Sequence, residues 1–416
     1  MAVERSPRTW LLTNATVLDP ESGSLLPDQR ILVLDGTIAE VGGKETTHHD
    51  APVIDLRGSI VLPGLIDAHV HVTAADSDLS ALPRLSPSYT ALHAAKSLED
   101  MLYRGFTTVR DCGGADFGLA QAQRAGLFTG ARLRLAGKAL SQTGGHGDVR
   151  HQGDDSHDTG YCHPGFGRVC DGVGQCRAAA RDEIRKGADH LKIVISGGVT
   201  SPTDRIDSTQ FSIEEITAIV EEATAANRYV AAHAYTPRAI ERGLRCGVRS
   251  IEHGNFIDNT TAQLFNATGS YLVPTLVTYS ALAEEERAKA GSGHRNGKVF
   301  EVLEVALRGL ETAYRNDVRI AFGTDLLGGM QRHQLTEFHL RAEVVKPIDV
   351  IRSATSVAAR LLRAEDTLGR VAPGAHADLL AVDGNPVEDI GILTDPARHH
   401  RLLMSGGTLV KSPPWT

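Results

Sequence analysis

Residues 62–72 read LPGLIDAHVHV: a Pro63-Gly64 turn, an apolar run, then His69 and His71 separated by one valine. In an extended strand, residues two apart project to one face, so both imidazoles can converge on a single ion. The pair alone carries little weight. The chain holds 18 histidines, and with that many, about one His-x-His pair arises by chance. Its position carries more, because imidazoles at the end of an apolar strand are costly buried polar groups unless something uses them.

Working outward, seven further β-rich runs follow: TTVRDC (107–112), ARLRLAG (131–137), HLKIVIS (190–196), YVAAHA (229–234), RSIEHG (249–254), SYLVPT (270–275) and RIAFGTD (319–325). Helical patterns with apolar residues near a 3.6 period lie between them, among them YTALHAAKSLEDMLYRG, GQCRAAARDEIRKGA, SIEEITAIVEEATAAN and GKVFEVLEVALRGLETAYRN. Ser212 with Glu215 makes a capping box, and Ala226-Asn227 a stop. Eight βα units over about 250 residues predict an α/β fold, a (β/α)8 TIM-like barrel, in preference to an open doubly wound sheet. The loop after the third strand, SQTGGHGDVRHQGDDSHDTGYCHPGFG (141–167), is long and rich in Gly, His and Asp. In a barrel it overhangs the active-site face.

Both ends of the chain read differently. TWLLTNATVLD, QRILVLDGTIAEVG with Asp35-Gly36 as a hairpin signal, and APVIDLRGSIVLPG are strand-and-turn sequence. DLLAVDG after VAPGAHA, and RLLMSGGTLVKSP turning at Gly406-Gly407, repeat the style at the other end. The prediction is a small β-sandwich domain built from residues 1–62 and 370–416, flanking a catalytic barrel over 63–369.

Composition excludes several partners. A formal charge of -8 and the lack of any Lys/Arg-rich block argue against nucleic acid. No segment is apolar and long enough for a membrane span, and the N-terminus has charges but no apolar signal region, which predicts a cytoplasmic chain. Cys112, Cys162, Cys170, Cys176 and Cys246 are odd in number and widely spaced, which suits free thiols; a Cys162–Cys170 pair is the lesser alternative. Small molecules are the partners to expect.

Beyond the His pair, Lys192 stands inside the strand HLKIVIS. One reading is a lysine that snorkels outward or pairs with a carboxylate. The other is an uncharged amine that takes up CO2 as a carbamate, whose two oxygens can bridge two cations. His233 in YVAAHAYTP, His253 in RSIEHGNF and Asp325 in IAFGTDLLGG each close a strand. Singly, each is more often structural. Together, six metal-competent residues at the C-terminal ends of strands one, four, five, six and eight form the arrangement a barrel uses for catalysis.

These motifs resemble the amidohydrolase superfamily, in its subgroup with a carboxylated lysine between two metals. TTVRDCGG, SQTGGHGD, KIVISGGVTSPTD, AAHAYTP, SIEHGNF, YLVPTL, GTD and LGRVAPGAHADLLAVDGNPVEDI extend the resemblance over nearly the whole chain. They are similar to the branch holding Xaa-Pro and Xaa-Arg dipeptidases, lysine or arginine carboxypeptidases and ochratoxin-hydrolysing amidases. The resemblance implies two divalent ions, zinc first among them, with His69, His71 and Asp325 on the more buried ion and His233 and His253 on the other. Lys192 bridges as N6-carboxylysine. It also implies that His146 and Tyr235 contact substrate, and that the chain assembles as a homo-oligomer.

The expected reaction is hydrolysis of an amide or peptide bond in an N-acyl-amino acid, a dipeptide of Xaa-Pro type or an ochratoxin-like aryl amide. A metal-bridging hydroxide attacks, and Asp325 carries the proton to the leaving nitrogen. Rival readings are a mononuclear deaminase or imidazolone-type hydrolase, an aryl carbamate or urea hydrolase, and an inactive barrel scaffold. The deaminase-like relatives usually carry a Glu a few residues past the fifth-strand His, where this chain has AYTPRA, and lack the lysine. His151, His157 and His163 are too irregularly spaced for a further metal site, and Arg205 and His333 are equally good as surface residues.

Overall fold

Asp35 and Gly36 both adopt left-handed backbone (φ 49° and 82°) between antiparallel strands Leu25–Leu34 and Thr37–Gly42. Gly406 and Gly407 (φ 53° and 76°) do the same between His400–Ser405 and Thr408–Lys411. Two residues of positive φ are what a tight hairpin of matching twist requires, so both turns follow from sequence. A computed structural model of the 416-residue chain describes residues 9–151, 165–201, 203–288 and 297–415. It divides into two compact units, Met1–Asp67 with Asp100–Thr108 and Val345–Thr416, and Ala68–Glu99 with Val109–Val344. Helices Pro347–Ser353 and Ser356–Leu361 thus fall with the terminal unit, where the composition shift points to a boundary at 369/370. The backbone bond from Ile66 to Ala354 (2.7 Å) is one of the ties that place them there.

The terminal unit is consistent with the small β domain read from both ends of the chain. The two ends form one hydrogen-bonded sheet of eight strands, ordered Thr408–Lys411, His400–Ser405, Leu379–Val382, Ile60–Pro63, Trp10–Leu18, Leu25–Leu34 and Thr37–Gly42, with Val53–Asp55 paired beside Trp10–Leu18. The reason is strand Ile60–Pro63, which pairs with the N-terminal Trp10–Leu18 on one side and the C-terminal Leu379–Val382 on the other. A shared strand zips the two halves edge to edge. Ile38 donates to the Ala375 carbonyl (2.8 Å), and the sheet curls round one core that includes Leu12, Ile31, Val61, Leu379, Leu402 and Met404.

The second unit contains a seven-stranded parallel sheet in the order Gly167–Val169, Ala139–Ser141, Leu191–Val194, Val230–Ala234, Ser250–His253, Tyr271–Val273 and Arg319–Ile320. Leu65–Val70, Phe106–Asp111 and Arg132–Leu135 make a three-stranded sheet. Backbone bonds connect the two sheets at both edges, among them Ala68 to Phe322 (2.8 Å) and Asp325 to His69 (2.8 Å) at one and Asp189 to Leu135 (2.8 Å) at the other. Helices such as Gly172–Arg185 and Ile213–Ala225 alternate with the strands, the second opened by the Ser212–Glu215 capping box. This is a TIM-barrel-type α/β fold. The run 319–325 is a strand only at Arg319–Ile320, and Asp325 beyond it is left-handed (φ 53°).

Register decides what faces inward. Lys192 pairs with Ala231 and Ala231 with Ser250, while Val194 pairs with His233 and His233 with Glu252. Paired residues of neighbouring strands share a face, as do residues two apart, so these six line one side in two tiers. Ile193, Ala232 and Ile251 form the opposite, apolar face. Cys112, Cys170, Cys176 and Cys246 are free thiols, and Cys162 lies outside the described residues. Among the described residues no helix is long and apolar enough to cross a membrane.

Candidate metal centre

His69, His71, Lys192, His233, His253 and Asp325 line one cavity, together with His146 and Tyr235. His69 and His71 arrive from the end of Leu65–Val70, Lys192 from Leu191–Val194, and His233 from Val230–Ala234. His253 needs a device of its own. Glu252 already faces inward, so strict alternation would turn His253 away; its left-handed backbone (φ 74°) bends it back. Its ring then stands 4.6 Å from that of His233 and 5.0 Å from that of His69. Asp325 is also left-handed. Two non-glycine residues in this sparsely populated region, both in one cavity, are strain kept at a working site.

The imidazoles are oriented as ligands. His69 donates through Nδ1 to Glu252 Oε2 (2.7 Å) and His71 through Nδ1 to the Gly113 carbonyl (2.9 Å). In both rings that leaves Nε2 with its lone pair facing Asp325, whose Oδ1 lies 3.4 Å from His69 Nε2 and 3.2 Å from His71 Nε2. His253 Nδ1 meets Thr275 Oγ1 at 2.8 Å. His233 is turned the other way, with Nε2 on the Gly197 carbonyl (3.1 Å) and Nδ1 left over. Anchoring one nitrogen to fix the other is how metal-binding histidines are held. Ligand atoms of His69, His71 and Asp325 all fall within 4.8 Å of one another.

Electrostatics agree with that use. Burial pushes His69, His233 and His253 well below the ordinary imidazole range, which keeps them neutral and able to bind a cation. Burial works to raise the Asp325 carboxyl, but the facing His69 and His71 outweigh it and hold it below the usual carboxylate range. Lys192 is 1% exposed, so it does not snorkel, and no carboxylate among the described residues pairs with its Nζ. Its charge is felt by the Glu252 and Asp325 carboxyls, which it helps to hold down. The donor set fits a divalent ion at His69, His71 and Asp325, with His233, His253 and Lys192 beside it.

His146 is buried, its ring 4.4 Å from that of His233 and its Nδ1 without a hydrogen-bond partner among the described residues. Burial pushes its pKa down to about 4. Its seat depends on Gly198, where a Cβ would come within 2.2–2.4 Å of the ring. Tyr235 is buried, and its hydroxyl accepts from Tyr279 (3.2 Å). Arg205 points away and pairs with Asp207 on the surface. His333 ends a short 3-10 turn outside the cavity lining, and His151 is exposed; His157 and His163 lie outside the described residues.

Sequence reasoning missed the support beneath the ligands. Arg110 donates to both Glu252 oxygens (2.9 and 2.8 Å), to Ser250 Oγ (3.1 Å) and to the Ala68 carbonyl (2.5 Å), and all of these are buried. Glu252 in turn holds His69. The signal was available: Arg110 in TTVRDC and Glu252 in SIEHG are charges inside apolar strands, the same anomaly that marks Lys192.

A sequence profile described as the amidohydrolase family matches residues 60–410. Ochratoxinase of Aspergillus niger is 31% identical over 428 aligned residues, covering 96% of this chain and 87% of that protein. A prolidase crystallised with N-methylphosphonate-L-proline is 46% identical with a TM-score of 0.93, covering 97% of this chain and 100% of the other. A Xaa-Pro dipeptidase with methionine bound in its active site is 30% identical with a TM-score of 0.86, over 97% and 100%.

Proposed function

The chain belongs to the amidohydrolase family, and from that premise we propose that it is a metal-dependent hydrolase cleaving the amide bond of an N-acyl-amino acid or dipeptide. His69, His71 and Asp325 would hold one divalent ion, zinc by preference, and His233 and His253 a second, with Lys192 between them as a carbamate. Such ions polarise a carbonyl and lower the pKa of water. One observation carries the reading: a fully buried lysine, with no carboxylate at ion-pair distance among the described residues, stands among four ring-anchored histidines and an aspartate. A buried amine without a counter-ion is costly, and conversion to a bridging anion relieves that cost.

The chain's own residues divide the remaining work. Asp325 has a carboxyl held ionised and a side chain 20% exposed, so it can accept the proton of the attacking water and pass it to the departing nitrogen. His146, neutral near pH 7, and the Tyr235 hydroxyl face the same cavity and can donate hydrogen bonds to a substrate carbonyl or terminal carboxylate. Val199, Leu79 and Leu282 exclude water beside them. Relatives named for ochratoxin and for Xaa-Pro dipeptides support a substrate with an acylated nitrogen and a free carboxylate.

The test is a panel of N-acyl-amino acids, dipeptides including Xaa-Pro, and aryl amides, assayed with zinc-loaded protein alongside elemental analysis. Turnover of carboxylate-bearing amides, a metal content near two per chain and stimulation by bicarbonate are expected. Ammonia release from a ring amidine by a one-metal protein indifferent to bicarbonate would replace this reading with deamination.

A further inference from the structure

We infer that Lys298 is a positioning residue for the substrate-contacting wall of this site, acting as a tethered cation inside a cage of backbone carbonyls; the inference rests on the function proposed above. The wall is the segment after strand Leu191–Val194, SGGVTS-TDRIDSTQF over 196–211 with Pro202 outside the described residues. Apart from the Ser196–Thr209 bridge it has no regular structure, and two of its first three residues are glycines. Its shape must come from specific ties. Gly197 bonds back to Ser208 (3.2 Å) and Gln210 to Ile195 (2.9 Å), which close the segment at its base.

Lys298 ties the far end. From the first turn of helix Gly297–Arg315, its Nζ donates to the carbonyls of Gly198 (3.2 Å), Ser201 (3.2 Å) and Asp204 (2.6 Å) and lies 3.5 Å from Asp204 Oδ1. Three carbonyls match the three N–H donors of an ammonium, and the carboxylate, 4% exposed, supplies the counter-charge. The arrangement is that of a bound monovalent cation whose carrier happens to be a side chain. Surface lysines paired through one exposed contact are worth little; this one gathers three backbone carbonyls at one point.

That backbone touches three of the site's residues on its other side. The Gly197 carbonyl receives His233 Nε2, the Val199 backbone hydrogen-bonds the Tyr235 hydroxyl, and Gly198 makes the close approach to His146. A side-chain relay runs in parallel: Asp204 Oδ2 accepts from Gln210 Nε2 (2.8 Å), and Gln210 Oε1 accepts from the His146 amide (2.9 Å). Val199 and Thr200 line the cavity, whereas Lys298 does not. Lys298 therefore acts through the segment. Loss of its charge should misplace His146 and Tyr235 and leave His69, His71 and Asp325, which come from other segments, in place.

The experiment compares wild type with Lys298→Ala and Lys298→Arg in the zinc-loaded protein. For Lys298→Ala, KM should rise about tenfold with kcat within about threefold, because lost substrate contacts weaken binding more than chemistry. Metal content should not change. Amide hydrogen exchange should quicken over 197–210 and at 146, and stay constant over 69–72. Ammonium ion, on the order of 100 mM, should fill the empty cage and recover part of both effects, as should the Arg variant with its fixed donors. Unchanged KM and exchange in Lys298→Ala would overturn the inference, as would a fall in kcat with metal loss at constant KM. Should the Ala variant not fold, Lys298→Gln, which keeps donors and removes charge, must show the same KM rise and ammonium response. Exchange needs no substrate: an inert wild type defeats the hydrolase reading, and a KM indifferent to residue 298 defeats this one.

Discussion

The core of the terminal sheet and the inner face of the barrel strands are equally shielded from water, and they are filled with opposite chemistry. Around Leu12, Ile31, Val61 and Leu379, all at 0% exposure, everything is apolar. The inward face of the barrel strands instead carries His69, Arg110, Lys192, His233 and Glu252 at 0–3% exposure, set among Val194, Ala231 and Ser250. Burying aliphatic carbon stabilises by about 25 cal/mol per Å2. Burying a charge costs several kcal/mol unless a partner offsets it. One region thus contributes the stability that the other gives up for chemistry.

The sharpest break in this comparison comes from Asp325→Asn. It should lower kcat by at least about a thousandfold, roughly 4 kcal/mol in the barrier, because the amide cannot take a proton. Its thermal unfolding should stay near wild type; a variant that turns over normally would remove Asp325 from the chemistry. In the apolar region the outcome should invert. Leu379→Ala is expected to cost about 3 kcal/mol in urea unfolding through the cavity it leaves, with kcat per folded molecule unchanged.

A smaller effect tests an exception inside the terminal unit. His400 is buried, and that burial pushes its pKa from 6.5 down to about 4. Between those values the unfolded chain binds a proton that the folded one refuses, so stability is present above pH 6.5 and drains as pH falls toward 4. Between pH 7 and pH 5 this group should account for about 2 kcal/mol, and His400→Leu should flatten that part of the unfolding profile. Equal pH slopes in the two proteins would count against it. Smallest of the four, Glu252→Gln should weaken zinc retention about tenfold, read by competition with a chelator, since the amide still meets His69 but polarises it less.

Much of this was legible in the chain. The two hairpins, the capping box at Ser212 and the alternation of strands and helices are local matters, set by φ preferences and by periods of two and 3.6 residues. Five of the six candidate ligands stand out because they close apolar strands, and Lys192 because it is a charge inside one. Arg110 and Glu252 were equally anomalous and went unread, since a salt bridge announces itself only when both partners are seen together. The joining of both ends into one sheet went unread for a similar reason. Strand Ile60–Pro63 looks like any other N-terminal strand, and nothing local says that residues 379–382 will pair with it.

By itself, then, the sequence determined which residues must be buried, which elements they form and which polar groups are out of place among them. Tertiary structure decided how those groups were used. Positive φ at His253 and Asp325 turns them inward, Glu252, Gly113 and Gly197 each take one nitrogen of a histidine, and Lys298 gathers three carbonyls from a segment about a hundred residues away in the chain. Periodicity is a property of neighbours and survives in one dimension. A ligand's orientation and a carbonyl cage depend on partners distant in sequence, and only folding brings those within the 3 Å or so over which a hydrogen bond acts.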